Sequence, residues 1–315
     1  MVSTIVGESG RVYVHSEILR HNPHDFGFTS SIFKAESENK SFILRRPHTF
    51  FYKSSLLRAD EFRGSRRLRM HIDCNHEEDL LIYPYYKSTL LSLIQNNSDL
   101  PWLQRRKILR HVAEAIKELH SKNWIHTDIR PDNVFLDWTC DNEGIVTVTN
   151  VALGDSDIAC QFDDGETCDS PCALGDVTWR SPEAQTRTGV SKALDIFSFG
   201  LVCIYTLGRG PFLFLNVDET LGKDGITPEQ AILIRHFSYF VPIPEGLLAR
   251  ISNEMSRRAL KWVSRAAEQR VKDNPALIFT KWGAVLGPEA QDMISGMTNV
   301  DPRARPTIDQ VLGHR

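Results

Sequence analysis

The stretch Trp124-Ile125-His126-Thr127-Asp128-Ile129-Arg130-Pro131-Asp132-Asn133-Val134-Phe135-Leu136 constrains this chain more than any other. Asp128 is followed five positions later by Asn133, with the cation Arg130 and the stiff Pro131 between them. Metal-assisted phosphoryl transfer needs this set in one tight loop. A carboxylate accepts or orients a hydroxyl proton, an amide oxygen holds Mg2+, and a cation faces the moving phosphate.

Four more motifs follow in order. Leu153-Gly154-Asp155-Ser156-Asp157-Ile158-Ala159 brings a second carboxylate, Asp155, suited to hard magnesium chemistry. Thr178-Trp179-Arg180-Ser181-Pro182-Glu183 and Asp195-Ile196-Phe197-Ser198-Phe199-Gly200 come next, and Asp301-Pro302-Arg303-Ala304-Arg305-Pro306-Thr307 closes the series. The first loop resembles the catalytic loop of protein kinases, where His-Arg-Asp-Leu-Lys-Pro-Glu-Asn is common. The series as a whole resembles the Ser/Thr-like branch of that family. Aminoglycoside and choline kinases share the loop, but Ser181-Pro182-Glu183 and Arg305 argue against a small-molecule phosphotransferase.

The resemblance implies an α+β, bilobal protein-kinase-like fold filling residues 1–315 as one domain, with a strand-rich lobe over about 20–84 and a helical lobe over 85–315. It implies transfer of the γ-phosphate of ATP, with Mg2+, to Ser or Thr hydroxyls of a protein. Asp128 is then the base, Arg130 steadies the phosphate, and Asn133 and Asp155 are the metal ligands. Glu183 pairs with Arg305, and Asp195 anchors the catalytic loop. Arg130-Pro131 after Asp128 favours Ser/Thr over Tyr specificity.

The first quarter departs from the family. Phe42-Ile43-Leu44-Arg45 places Arg45 where a Lys is expected, with Glu61 expected as its partner, and a planar guanidinium is not a conservative substitute. The glycine-rich loop falls on Asn22 to Phe28, with only Gly27. Gly7-Glu8-Ser9-Gly10-Arg11-Val12-Tyr13 mimics that loop but lies too far upstream for a simple hairpin. Tyr83 is expected to guard the nucleotide pocket, and backbone groups of Pro84 and Tyr86 to meet adenine; Pro84 needs only its carbonyl there. Ser156 stands for a Phe that would pack in an apolar stack, and Asp157 for a Gly. Thr127 replaces the Arg that grips a phosphorylated segment, so phosphate on Thr167 or Ser170 lacks that receptor. Asp176 and Arg130 are expected to form an ion pair in place of a Thr–Lys bridge. These losses keep open a second reading, a pseudokinase acting as a nucleotide- or protein-binding allosteric module.

Periodicity predicts a hairpin over 31–45 with its turn through Glu38-Asn39-Lys40, a helix over 54–70, a buried strand at Leu80–Tyr83 and an amphipathic helix over Leu103–Leu119. Arg63, Arg66, Arg67 and Arg69 read as a solvated helix face, and His126 as a packing residue. The 315 residues carry a net charge of -3, which gives no electrostatic case for nucleic acid. No apolar run is long enough for a membrane span, and Met1-Val2-Ser3-Thr4 lacks a secretory pattern. The six cysteines form no Cys-x-x-Cys pair. A reduced intracellular chain, cytoplasmic or nuclear, is the expectation.

Overall fold

The computed structural model describes residues 3–25, 28–97, 99–162, 174–189, 191–208, 225–240, 254–282 and 286–314. Its first part is an antiparallel sheet of six strands in the order β1-β2-β3-β4-β6-β5. These are β1 (Ser3–Val6), β2 (Val12–Asp25), β3 (Phe28–Ser37), β4 (Lys40–Arg46), β5 (Asp73–Asn75) and β6 (Leu80–Pro84). The sheet thus begins well before residue 20, where the sequence reading started the strand-rich lobe.

The β3–β4 hairpin forms where expected. Ser37 pairs with Lys40, and the two turn residues Glu38 and Asn39 have φ of 51° and 61°. Two left-handed residues make the turn whose twist matches the strands it joins. Alternation along β4 buries Phe42 and Leu44 with Ile5, Tyr13, Ala35, Leu80 and Ile82. Ile43 points the other way, against Tyr52, Leu81 and Tyr83. Arg45 shares the Ile43 side of the strand by the same period of two.

The helix α1 (Thr49–Glu61) covers that second face. It starts and stops earlier than predicted. Tyr52, Ser55 and Arg58 form its buried stripe, Phe62 just past its end is buried as well, and Leu57 is 74% exposed. Gly64, at φ 84°, follows, and Ser65 Oγ then accepts from the amides of Arg67 and Leu68. The chain leaves the helix there, because a left-handed glycine ends helical hydrogen bonding.

The remainder is built on helices. Trp102–Ser121 forms α3, after the short α2 (Leu90–Asn96), and buries Ile108, Val112, Ala115, Ile116 and Leu119 along one stripe, as predicted. Against it packs a hairpin of β9 (Val134–Cys140) and β10 (Val146–Leu153); β7 (Ser88–Thr89) pairs with β9, and β8 (Trp124–Ile125) with β11 (Cys160–Gln161). Beyond α4 (Pro182–Thr186), every residue of α5 (Lys192–Leu207) from Leu194 onward is buried, polar Asp195 and Ser198 included. A helix buried all round lies at the centre of a core rather than on its surface. Around it stand α6 (Pro228–Tyr239), α7 (Glu254–Asp273), α8 (Pro288–Met297) and α9 (Ile308–Gly313). The architecture is α+β, strands first and helices after.

Candidate active site

The loop around Asp128 is fixed from below by one carboxylate. Asp195, in the first turn of α5, is fully buried. It accepts from the amides of His126 (2.8 Å) and Thr127 (2.9 Å) and is bonded to His120 Nε2 (3.0 Å). A buried carboxylate requires such partners, and meeting them bends the chain after β8. Thr127 accordingly takes a left-handed φ of 68°. His126 lies beneath the loop with its ring fully buried. Its Nδ1 accepts from the Asp128 amide (3.3 Å), so Nε2 carries the hydrogen and donates to the Gly154 carbonyl (3.0 Å). The packing role expected of His126 is what the geometry gives.

This frame aims the Asp128 carboxylate. One oxygen accepts from the Asp176 amide and the other from Asn133 Nδ2, both at 2.9 Å. Asn133 Nδ2 also donates to the Asp128 carbonyl (2.8 Å), so its amide hydrogens face Asp128 and its Oδ1 faces elsewhere. Gly175 lies beside them at φ 80°, where a Cβ would come within 2.4 Å of the Thr127 carbonyl oxygen. Arg130 Nε stands 3.4 Å from Asp128, and Nη1 stands 3.4 Å from Asp132 and 3.8 Å from Asp176. The expected Asp176–Arg130 pair is therefore formed. Burial alone would lower the Arg130 pKa, but the surrounding carboxylates outweigh it and hold the charge firmly.

Asp155 follows β10 with φ 58°. Its carboxylate bonds Arg45 Nη1, while Arg45 Nη2 reaches Asp157 at 2.7 Å. Burial pushes both acids up, yet Arg45 outweighs it at Asp155, whose pKa lies below the usual range, whereas Asp157 stays above it. Glu61 is not the partner of Arg45, contrary to expectation. It ends α1, where its carboxylate accepts from Trp124 Nε1 (2.8 Å) and its carbonyl from Lys122. On the buried stripe of α1, Arg58 instead reaches Ser156 and Ser55.

Arg58 is what the sequence reading missed. It is 2% exposed, donates from Nε to Ser156 Oγ (3.0 Å), and stands 5.4 Å from the Trp124 ring centre. Arg58 thus packs directly against Ser156, and burial lowers its pKa. Helical spacing from Tyr52 and Ser55 was the available signal. The second correction concerns Arg69. It lies outside any helix and is 9% exposed, unlike the solvated Arg63. Its Nε and Nη2 donate to the Pro84 carbonyl at 3.1 and 2.9 Å. Tyr83 is buried beside it, and Tyr86 lies with its ring centre 6.0 Å from that of Phe135.

The expected glycine loop joins β2 to β3. The two strands meet at Asp25 and Phe28, with Phe26 and Gly27 outside the described residues. The Gly7–Gly10 mimic is the turn of the β1–β2 hairpin, tied to Asp73 through the Ser9 amide (3.2 Å) and hydroxyl (2.5 Å). Thr167, Ser170, Cys168 and Cys172 also lie outside the described residues. Cys74, Cys140 and Cys203 are free thiols.

Further along the chain, Glu183 and Arg305 form a buried fork at 2.5 and 2.8 Å. The family is established by comparison. The protein kinase domain family matches residues 69–315, and the chain belongs to it. Among curated proteins it is similar to the L-type lectin-domain containing receptor kinase V.5 of Arabidopsis thaliana, 33% identical over 140 residues, which is 42% of this chain and 20% of that protein. It is equally similar to the L-type lectin-domain containing receptor kinase SIT1 of Oryza sativa subsp. japonica, 33% identical over 144 residues, 43% of this chain and 20% of that protein. The matched stretch thus spans about a fifth of these relatives' length. Among the described residues no helix is long and apolar enough to cross a membrane.

Proposed function

We propose that this chain is a bilobal protein kinase domain that transfers the γ-phosphate of ATP to Ser or Thr hydroxyls of a protein, at a reduced rate. The carrying observation is the Asp128 carboxylate, held by the Asp176 amide and Asn133 with Arg130 alongside. A base fixed on both oxygens and flanked by a cation is placed to orient a hydroxyl and receive its proton.

The donor set fits Mg2+. Asn133 spends its amide hydrogens on Asp128 and leaves Oδ1 for a cation, and the Asp155 carboxylate is the second hard oxygen ligand. When bound, the metal neutralises charge on the phosphates. Asp155 now faces Arg45, so loading requires the guanidinium to share or give up that carboxylate. Arg45 then bears on the phosphates, as the Lys of the family does, with Asp157 rather than a helix Glu restraining it. Asp128 needs no such rearrangement. The Arg130-Pro131 pair supports Ser/Thr specificity by resemblance, and a reduced cytoplasmic or nuclear setting accords with the free thiols.

The same Arg45 ion pairs favour a second reading, a pseudokinase that binds a nucleotide or a protein without transfer. The test is γ-phosphate transfer from Mg·ATP to the chain itself and to a basic protein, compared with Asp155→Asn. Transfer that disappears in the variant establishes the kinase. Equal background in both leaves the pseudokinase.

A further inference from the structure

The Pro84 carbonyl, at the end of β6, is the group expected to meet adenine, and in this chain it is already engaged. Arg69 donates to it twice, at 3.1 and 2.9 Å. The same guanidinium carbon stands 4.3 Å from the centre of the Phe135 ring, 4.9 Å from that of Tyr83 and 5.9 Å from that of Tyr86. A flat, delocalised cation thus lies among three aromatic rings, with its hydrogen-bond donors on a backbone acceptor. That is the pattern in which a protein recognises a purine, a flat ring system with an exocyclic amino group.

Gly154 makes room for it. A Cβ there would stand 3.0 Å from Arg69 Cβ and 2.9 Å from a ring carbon of Phe135. The backbone on both sides is pinned, since the Arg69 amide donates to the Leu153 carbonyl at 2.8 Å. Only the side chain is free to leave. Burial lowers the Arg69 pKa to about 10, so the cation is held at a desolvation cost that its departure would return.

We propose that Arg69 is a resident occupant of the nucleobase subsite, so that a purine binds only by displacing its guanidinium from Pro84 and Phe135. The inference rests on the nucleotide-binding reading above but not on phosphoryl transfer. Arg69 acts there as a built-in competitor that sets nucleobase affinity.

Adenosine separates base binding from phosphoryl transfer, because it carries no phosphate and needs no metal. Its affinity would be measured by calorimetry for the wild-type chain and Arg69→Ala, with thermal melting to confirm folding. The expected result is binding at least tenfold tighter in Arg69→Ala. Equal or weaker binding in a folded Arg69→Ala would overturn the proposal. Should that variant not fold, a crystal structure of the wild-type chain with adenosine decides: Arg69 swung away from Pro84 supports displacement, and Arg69 still on the carbonyl refutes it. Tighter adenosine binding without phosphate transfer would sustain this inference while the kinase reading fails.

Discussion

At the scale of single residues, what a buried contact is worth depends on which half is removed. Glu183 and Arg305 bury a two-pronged ion pair, and Arg305 also donates to the Ala193 carbonyl at 2.8 Å. Losing one partner strands the other charge, at about 3–5 kcal/mol. Glu183→Ala is therefore expected to unfold at markedly lower denaturant, and Glu183→Ala with Arg305→Met to lose less than the two single changes summed. The Asp176–Arg130 pair is partly exposed, so a double-mutant cycle should return only about 0.2–1 kcal/mol. Gly175→Ala belongs to another class, since its Cβ meets backbone rather than a side chain that can yield. It should cost on the order of a hundredfold in transfer rate by moving Asp128, with the loss read in kcat. The candidate residues Asp128 and Asn133, five positions apart in one loop, and Asp155, in the next motif, were legible from their spacing. Glu61 was misread because many helical acids are exposed, and only packing shows that Ser55 and Arg58 face the site while Glu61 meets Trp124.

Among elements, the turn of the β1–β2 hairpin is tied to β5 by one carboxylate as well as by the Glu8 amide on the Cys74 carbonyl. Asp73 of β5 accepts from the Ser9 amide and hydroxyl and from the Tyr13 hydroxyl (3.0 Å). Removing it leaves those donors short, so Asp73→Ala should cost about 1–3 kcal/mol and raise amide exchange along β1 and β2 before the rest of the chain. Burial would raise the Asp73 carboxyl, but these hydrogen bonds outweigh it and bring it below its ordinary value. The stabilisation is thus present above the ordinary carboxylate range and lost as pH falls through the lowered native value. Asp73→Asn should flatten that part of the acid limb. Elements with a clean period, β3, β4, β6 and α3, were readable. The end of α1 was not, because the apolar residues Leu56, Leu57, Phe62 and Leu68 continue a helical pattern past Gly64, where the helix has stopped. No local signal showed that Gly7 to Gly10 serves Asp73, more than sixty residues away.

For the whole molecule, two neutral histidines set the response to mild acid. Burial lowers His71 to about 4 and His236 to about 3, with Arg58 and Arg235 adding to the effect. Each binds a proton in the unfolded chain near pH 6.5 but not in the native one. Stability is therefore unaffected above that value and falls as pH drops from about 6.5 toward 4, by up to about 1.4 kcal/mol per unit for each histidine. Urea unfolding at a series of pH values should show this slope, and His236→Phe, which sits among Phe197 and Phe240, should remove part of it. The order of strands before helices followed from the motif series. The convergence of Arg45, Arg58 and Arg69 around Tyr83 did not, because three cations from β4, α1 and the segment before β5 are neighbours only in the folded chain.

Asp195 couples parts of the chain that a drawing would separate. One carboxylate secures the loop amides at 126 and 127, the ring of His120 at the end of α3, and its own place in the central helix. The reactive loop therefore has no private way to fray. Its amides at His126 and Thr127 should exchange with solvent only when the helical body opens, keeping time with the slowest protons of α5 rather than with those of the surface around them.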